Sequence, residues 1–246
     1  TRAQKQTVQG LLLMSEGQWS EARKVLTASA REVGTPLINY LSAARAAHEL
    51  GDAEGRDALL RQAHESTPGS KFAVGLTQAE LQIDHRQLEQ ALATLMHLRA
   101  LAPKHAHVLK LLAALYQELH SWGDLYDLLP MLEKRKVLGD GEMQDLELRT
   151  HRALLELAAR SGRLERLQEA WGRVPRGLRN RPDMILAYAE HLSTFADAGA
   201  EPEALLGRYV AVREVDGQLD RAFAGGGEDQ RTRRLATMLP GTPALV

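Results

Sequence analysis

The chain has 246 residues, no cysteine and a formal net charge of −1, with 26% charged residues of both signs. That excludes disulfides, thiolate metal sites and a cysteine nucleophile, and it offers no basic field for nucleic acid or a membrane surface. Aromatic residues make up only 4%, and a palette rich in Leu, Ala, Glu, Arg and Gln favours helix over strand.

The first predicted helix pair turns at Gly17. Gly10 sits at a small-residue site before the turn, and Trp19, Ala22 and Leu26 follow it. The second pair turns at Gly51, one full period further on. Its first helix carries Tyr40, Ala43, Ala44 and Ala47, its second Leu60 and Ala63, and Pro68 ends it. Ala79, Leu88, Ala91, Leu95 and Pro103 make a third copy without a turn glycine. Ala113, Tyr116, Trp122, Leu125 and Leu129 make a fourth, with Leu125 where Ala is expected. A period of about 34 residues and these residue types match the tetratricopeptide pattern. Small residues let paired helices approach, and large ones fill the gaps beside them.

The register then slips. "EKRKVLGDGE", Glu133 to Glu142, reads as a charged linker. A looser fifth pair follows over Met143 to Ser161 and Arg163 to Val174. A sixth runs from Pro182 to Val215, with Tyr188, Phe195, Gly199, Ala204 and Ala211 in fair positions. "AGGGED", Ala224 to Asp229, reads as a flexible turn, and Gln230 to Leu239 as the last helix. The closing "PGTPALV" resembles "TPLINY" at Thr35 to Tyr40, so a further repeat is expected to follow. The longest apolar run is a few residues, too short to span a bilayer. The chain opens at Thr1 without an initiator Met or a signal peptide and is expected to be a piece of a longer protein.

The fold expected is all-α: a right-handed superhelix of tetratricopeptide-like helix-turn-helix repeats. The array covers residues 1–246, regular over about 3–137 and divergent over about 143–246. The first helix of each pair is expected to line a concave groove. On the helical wheel, Leu41, Arg45 and His48 face it from the second copy, Leu76, Glu80 and Ile83 from the third, and Lys110, Ala114 and Gln117 from the fourth. Arg152 and Glu156 continue the row. Arg45 and Lys110 could pair with acidic groups of a bound peptide. The alternative is ordinary surface charge.

No Walker loop, G-x-G-x-x-G, H-E-x-x-H or G-x-S-x-G occurs, so no enzyme is suggested and no cofactor is expected. His105 and His107 form an H-x-H pair, which can bind metal, but no third ligand can be named. As plain residues of a polar repeat junction they need no ion. His48 could ligate a haem iron; the plainer reading is a solvated groove histidine. Seven arginines crowd one stretch: Arg160, Arg163, Arg166, Arg173, Arg176, Arg179 and Arg181. They could hold propionates, phosphate or anionic lipid head groups, or simply face water.

"RAQKQTVQGLLLMSEGQWSEARKVL" followed by "PLINYLSAARAAHELGD" resembles the start of the soluble part of the HemY family. "LAPKHAHVLKLLAALYQELHSWGDLYDLLPML" is similar to that family's middle repeats. The resemblance covers most of the chain and is tighter from the start to Leu132. It implies a proteobacterial tetratricopeptide protein associated with protohaem IX biosynthesis. In that family two transmembrane helices and a basic segment precede the repeats, and further repeats follow. It therefore implies an inner-membrane protein of a Gram-negative bacterium with its repeats on the cytoplasmic side. The partners implied are enzymes of the haem pathway, with haem or a porphyrin as the alternative ligand.

Overall fold

A computed structural model describes residues 2–32 and 36–195, and among the described residues there are helices and their connections but no strand. The chain divides into two compact units, residues 1–120 and 121–246. The first holds α1 (Arg2–Ser15), α2 (Trp19–Ala30), α3 (Leu37–Glu49), α4 (Ala53–Ser66), α5 (Lys71–Asp84), α6 (Leu88–Leu101) and α7 (Ala106–Glu118). The described part of the second holds α8 (Trp122–Arg135), α9 (Asp140–Arg160), α10 (Leu164–Arg173), the short α11 (Arg176–Arg179) and α12 (Pro182–Ser193). Gly199, Ala204, Ala211, the "AGGGED" turn and the helix expected at Gln230 to Leu239 lie outside the described residues.

The fold is an all-α array of tetratricopeptide-like hairpins, and its period is written in the turns. Gly17, Gly51, Arg86, His120 and Gly162 all have a left-handed backbone, with φ between 56 and 73°. The first four are almost evenly spaced, at the tetratricopeptide period of about 34 residues. Gly162 comes about two helical turns later than that period would place it. The third turn keeps the glycine conformation without a glycine. In the first unit the residue seven before each turn is small: Gly10, Ala44, Ala79 and Ala113, all buried. A Cβ at Gly10 would come within 2.5 Å of the Leu26 Cγ, so this spot is where the paired helices touch. In α9 the same position holds Leu155, buried in a different cluster. That change accompanies the longer interval.

A left-handed residue other than glycine costs roughly 1–2 kcal/mol, part of which glycine returns through its freer unfolded state. Lys136 closes α8 at φ 49° and is exposed. Lys136→Gly is therefore expected to stabilise the second unit by about 0.5–1 kcal/mol. Gly51→Ala, at φ 73° with open space around it, should cost the first unit a similar amount. Urea midpoints of the two variants check both signs.

The first unit's core joins Ala22 and Leu26 to Ala43, Ala44, Ala46, Ala47, Leu59, Leu60 and Ala63, with Tyr40 and Trp19 packed at its edge. A polar tie runs through it. Asn39, 1% exposed, donates from Nδ2 to the Ser29 Oγ at 2.5 Å and to the Thr7 Oγ1 at 3.0 Å, linking α1, α2 and α3. Asp52 caps α4 by accepting from the Gly55 N–H at 2.8 Å, and Arg23 on α2 reaches the same carboxylate at 2.5 Å. The Gly55 N–H first, and then Arg23, hold that carboxyl below its usual range. The fourth sequence copy divides between units, since α7 closes the first and α8 opens the second. The segment expected to be a linker at Glu133 to Glu142 is mostly helix. α8 runs to Arg135 and α9 starts at Asp140, capped by the Glu142 carboxylate on the Gly139 N–H. Charged residues at helix ends look like linker in sequence, but they belong to the first and last turns that favour them.

Candidate partner-binding groove

Leu41, Arg45 and His48 are spaced by four and three residues, so α3 carries them on one face. The same offsets bring Leu76, Glu80 and Ile83 together on α5, and Lys110, Ala114 and Gln117 on α7. α3 packs beside α5. Leu41, Leu76 and Ile83 are half-buried.

The polar members of the row engage one another. Arg45 Nη2 donates to the Glu80 Oε2, and Glu80 Oε1 meets the His107 Nε2 at 2.8 Å. The three residues come from α3, α5 and α7 and form a chain across three successive first helices. His107, read in sequence as half of an H-x-H pair, is thus a partner of Glu80. His105 does something else. Its Nδ1 accepts from the Val108 N–H at 3.4 Å, capping α7, and its ring lies 4.8 Å from Phe72. The two histidines serve different helices, and no set of three ligating side chains gathers among the described residues.

His48 corrects an expectation. It is not solvated: it is 6% exposed, and its ring lies 3.9 Å from that of His85 at a 32° tilt. Its Nδ1 is buried without a hydrogen-bond partner. Desolvation, and then the neighbouring His85, push its pKa below the ordinary imidazole value, so the neutral ring is the form this site holds. The Ala-rich α3 explains the inward turn. Small neighbours leave room for the ring beside the next repeat.

Lys110 and Ala114 are exposed, and Lys110 makes no ion pair among the described residues. Gln117 is half-buried and donates to the Ala113 carbonyl at 3.2 Å. Arg152 and Glu156 belong to the second unit, both exposed, and Glu156 pairs with Arg160 at 2.5 Å.

The arginine cluster separates into two sets. Arg160 is tied to Glu156. Arg179 donates to the carbonyls of Val174 and Gly172, and Arg181 holds both oxygens of Asp183. Arg163, Arg166, Arg173 and Arg176 are exposed and have no side-chain partner among the described residues. The chain-linking role of Glu80 and the inward turn of His48 were not visible in sequence. The only signal was that Arg45 and Glu80 sit at equivalent offsets on successive first helices. None of the described helices is long and apolar enough to cross a membrane.

Known proteins resemble this chain on the same stretch. Residues 1–51 match a family model described as "HemY protein N-terminus". "Protein HemY" of Escherichia coli (strain K12) is 30% identical over 191 residues, which is 78% of this chain and 48% of the relative. The chain thus spans about half the length of the curated relatives it matches. Among solved structures, MamA 41-end from Desulfovibrio magneticus RS-1 is 18% identical at a TM-score of 0.45, covering 71% of this chain and 93% of its own. The Pseudomonas aeruginosa pilF structure is 13% identical at a TM-score of 0.44, covering 94% and 96%. The family-model and full-sequence matches agree in likening this chain to HemY proteins.

Proposed function

We propose that this HemY-like repeat array is a non-enzymatic scaffold that holds a segment of another protein along the face built by α3, α5 and α7. The partner we have in view is an enzyme of late haem synthesis. The setting is the inner membrane of a Gram-negative bacterium, with the repeats on the cytoplasmic side. One observation carries the interaction reading. Arg45, Glu80 and His107 tie three first helices together, and beside them Lys110 and Ala114 stand exposed. A platform whose side chains are already ordered loses less freedom on binding. A carboxylate on the incoming segment would complement Lys110. The haem-pathway part rests on the family resemblance.

The contrasting reading is direct carriage of haem or a porphyrin. It needs an apolar cleft and an axial ligand. His48 is closed against His85, so reaching an iron would require opening the α3–α5 contact.

A photo-crosslinker in place of Ala114 tests the proposal in solubilised inner membranes. The expected product joins the chain to a haem-pathway enzyme and disappears when Lys110→Glu is added. Absence of any crosslink sensitive to Lys110→Glu would refute the groove reading. A Soret shift saturating at one equivalent of haem and lost in His48→Ala would replace it with pigment binding.

A further inference from the structure

A second surface lies in the other unit and is independent of the groove. α9 and α10 run back to back around Gly162, and between them opens a cleft of about 280 Å³. Its floor is apolar, from Leu154, Leu157, Ala158 and Ala170, and Leu157 is left 48% exposed. Arg166 and Arg173 line the same cleft. They are seven residues apart on one helix, hence on one side and about 10 Å apart along the axis. Both belong to the four cluster arginines without a side-chain partner. Glu169 lines the cleft between them, so its lining carries two positive charges against one negative.

We propose that this cleft docks an acidic amphipathic helix of a protein partner, with one aliphatic side chain in the floor and carboxylates two turns apart against Arg166 and Arg173. The combination of an apolar hole and paired guanidinium groups asks for this chemistry. An aliphatic anchor fills the recess, and carboxylates take the fork of each arginine. The same geometry disfavours a bilayer. The apolar face of α10 is used internally: Leu167 is fully buried and Trp171 stacks on Tyr188 at 4.3 Å. A helix that inserts into lipid keeps that face outward. Here the apolar surface left open is recessed between two helices, where a side chain can enter and a planar membrane cannot.

The test uses the whole 246-residue chain and a labelled synthetic helix of Glu, Leu and Ala, read by fluorescence anisotropy. The comparison probes are the same helix with Lys for every Glu, and phosphatidylglycerol vesicles. The acidic helix is expected to bind and the basic one not. Arg166→Glu with Arg173→Glu should weaken binding by roughly tenfold or more. Leu157→Asp should weaken it several-fold, while Lys5→Glu with Lys24→Glu, the same charge change in the other unit, should leave it unaltered. Equal loss in that control would reduce the effect to net charge and overturn the proposal. So would binding of the basic helix, indifference to Leu157→Asp, or vesicle binding that the double reversal abolishes while the acidic helix fails to bind. All five altered side chains are exposed, so circular dichroism of each variant should match the parent.

Discussion

Ala44→Trp is expected to unfold the middle of the first unit while leaving the second unit's melting transition in place. Ala44 is 0% exposed and sits in the cluster where α2, α3 and α4 meet. Its neighbours Ala43, Ala46 and Ala47 are equally buried, so nothing beside it can shrink to admit an indole. A few extra methylene groups in such a core cost about 1–3 kcal/mol, and a whole aromatic ring should exceed that range. The damage should stay local because a repeat array is held by neighbour contacts. Hydrogen exchange resolved by segment reads the outcome. Protection should fall in α2, α3 and α4 and persist in α8 to α10. An unchanged melting curve would mean that Ala44 does not stand at the close approach of two helices.

Leu167→Ala is expected to do the converse. α10 is ten residues long, and Leu167 is its only fully buried side chain. That leucine packs with Leu155, Val174, Leu178, Met184, Tyr188 and Leu192, so it pins α10 to α9 and to the α11–α12 region. Truncating a leucine in such a site costs about 2–5 kcal/mol, more when the surroundings cannot collapse. A helix this short is marginal without packing. Its release should separate Trp171 from Tyr188, now stacked with ring planes 3° apart. Trp171 emission should shift to the red at a lower urea concentration than in the parent. A midpoint shift worth less than about 1 kcal/mol would show that α10 is held by something other than this cluster.

The two expectations rest on different levels of information. Ala44 could be chosen from sequence. The even repeat period and the small residue before each turn fix where two helices must touch, whatever the rest of the chain does. Leu167 could not be chosen that way. Beyond His120 the left-handed turn inside the next helix pair is delayed to Gly162, Lys136 taking that conformation only between α8 and α9, and a leucine, Leu155, takes the small-residue position. A pattern match then no longer says which apolar residues meet. Arg86 shows a milder failure. It adopts the left-handed turn that glycine would mark, so composition hid a turn that the backbone still makes.

What the sequence determined by itself was the helical class, the repeat period, the identity of the first helices and which residues share one face of each. These follow from local rules: helical periodicity, capping and turn chemistry, and the size of side chains at fixed offsets. What only the tertiary structure decided was how the residues on those faces are used. Arg45, Glu80 and His107 belong to three different repeats and meet because three helices stand side by side. His48 shares a helix face with Arg45, yet it turns into the α3–α5 contact against His85. Of seven clustered arginines, three are tied by carboxylates or carbonyls and four are not. The physical reason is common to all three cases. Helix periodicity assigns a residue to a face. Whether its charge is neutralised, buried or left for a partner depends on distances between elements, which no spacing within one element contains.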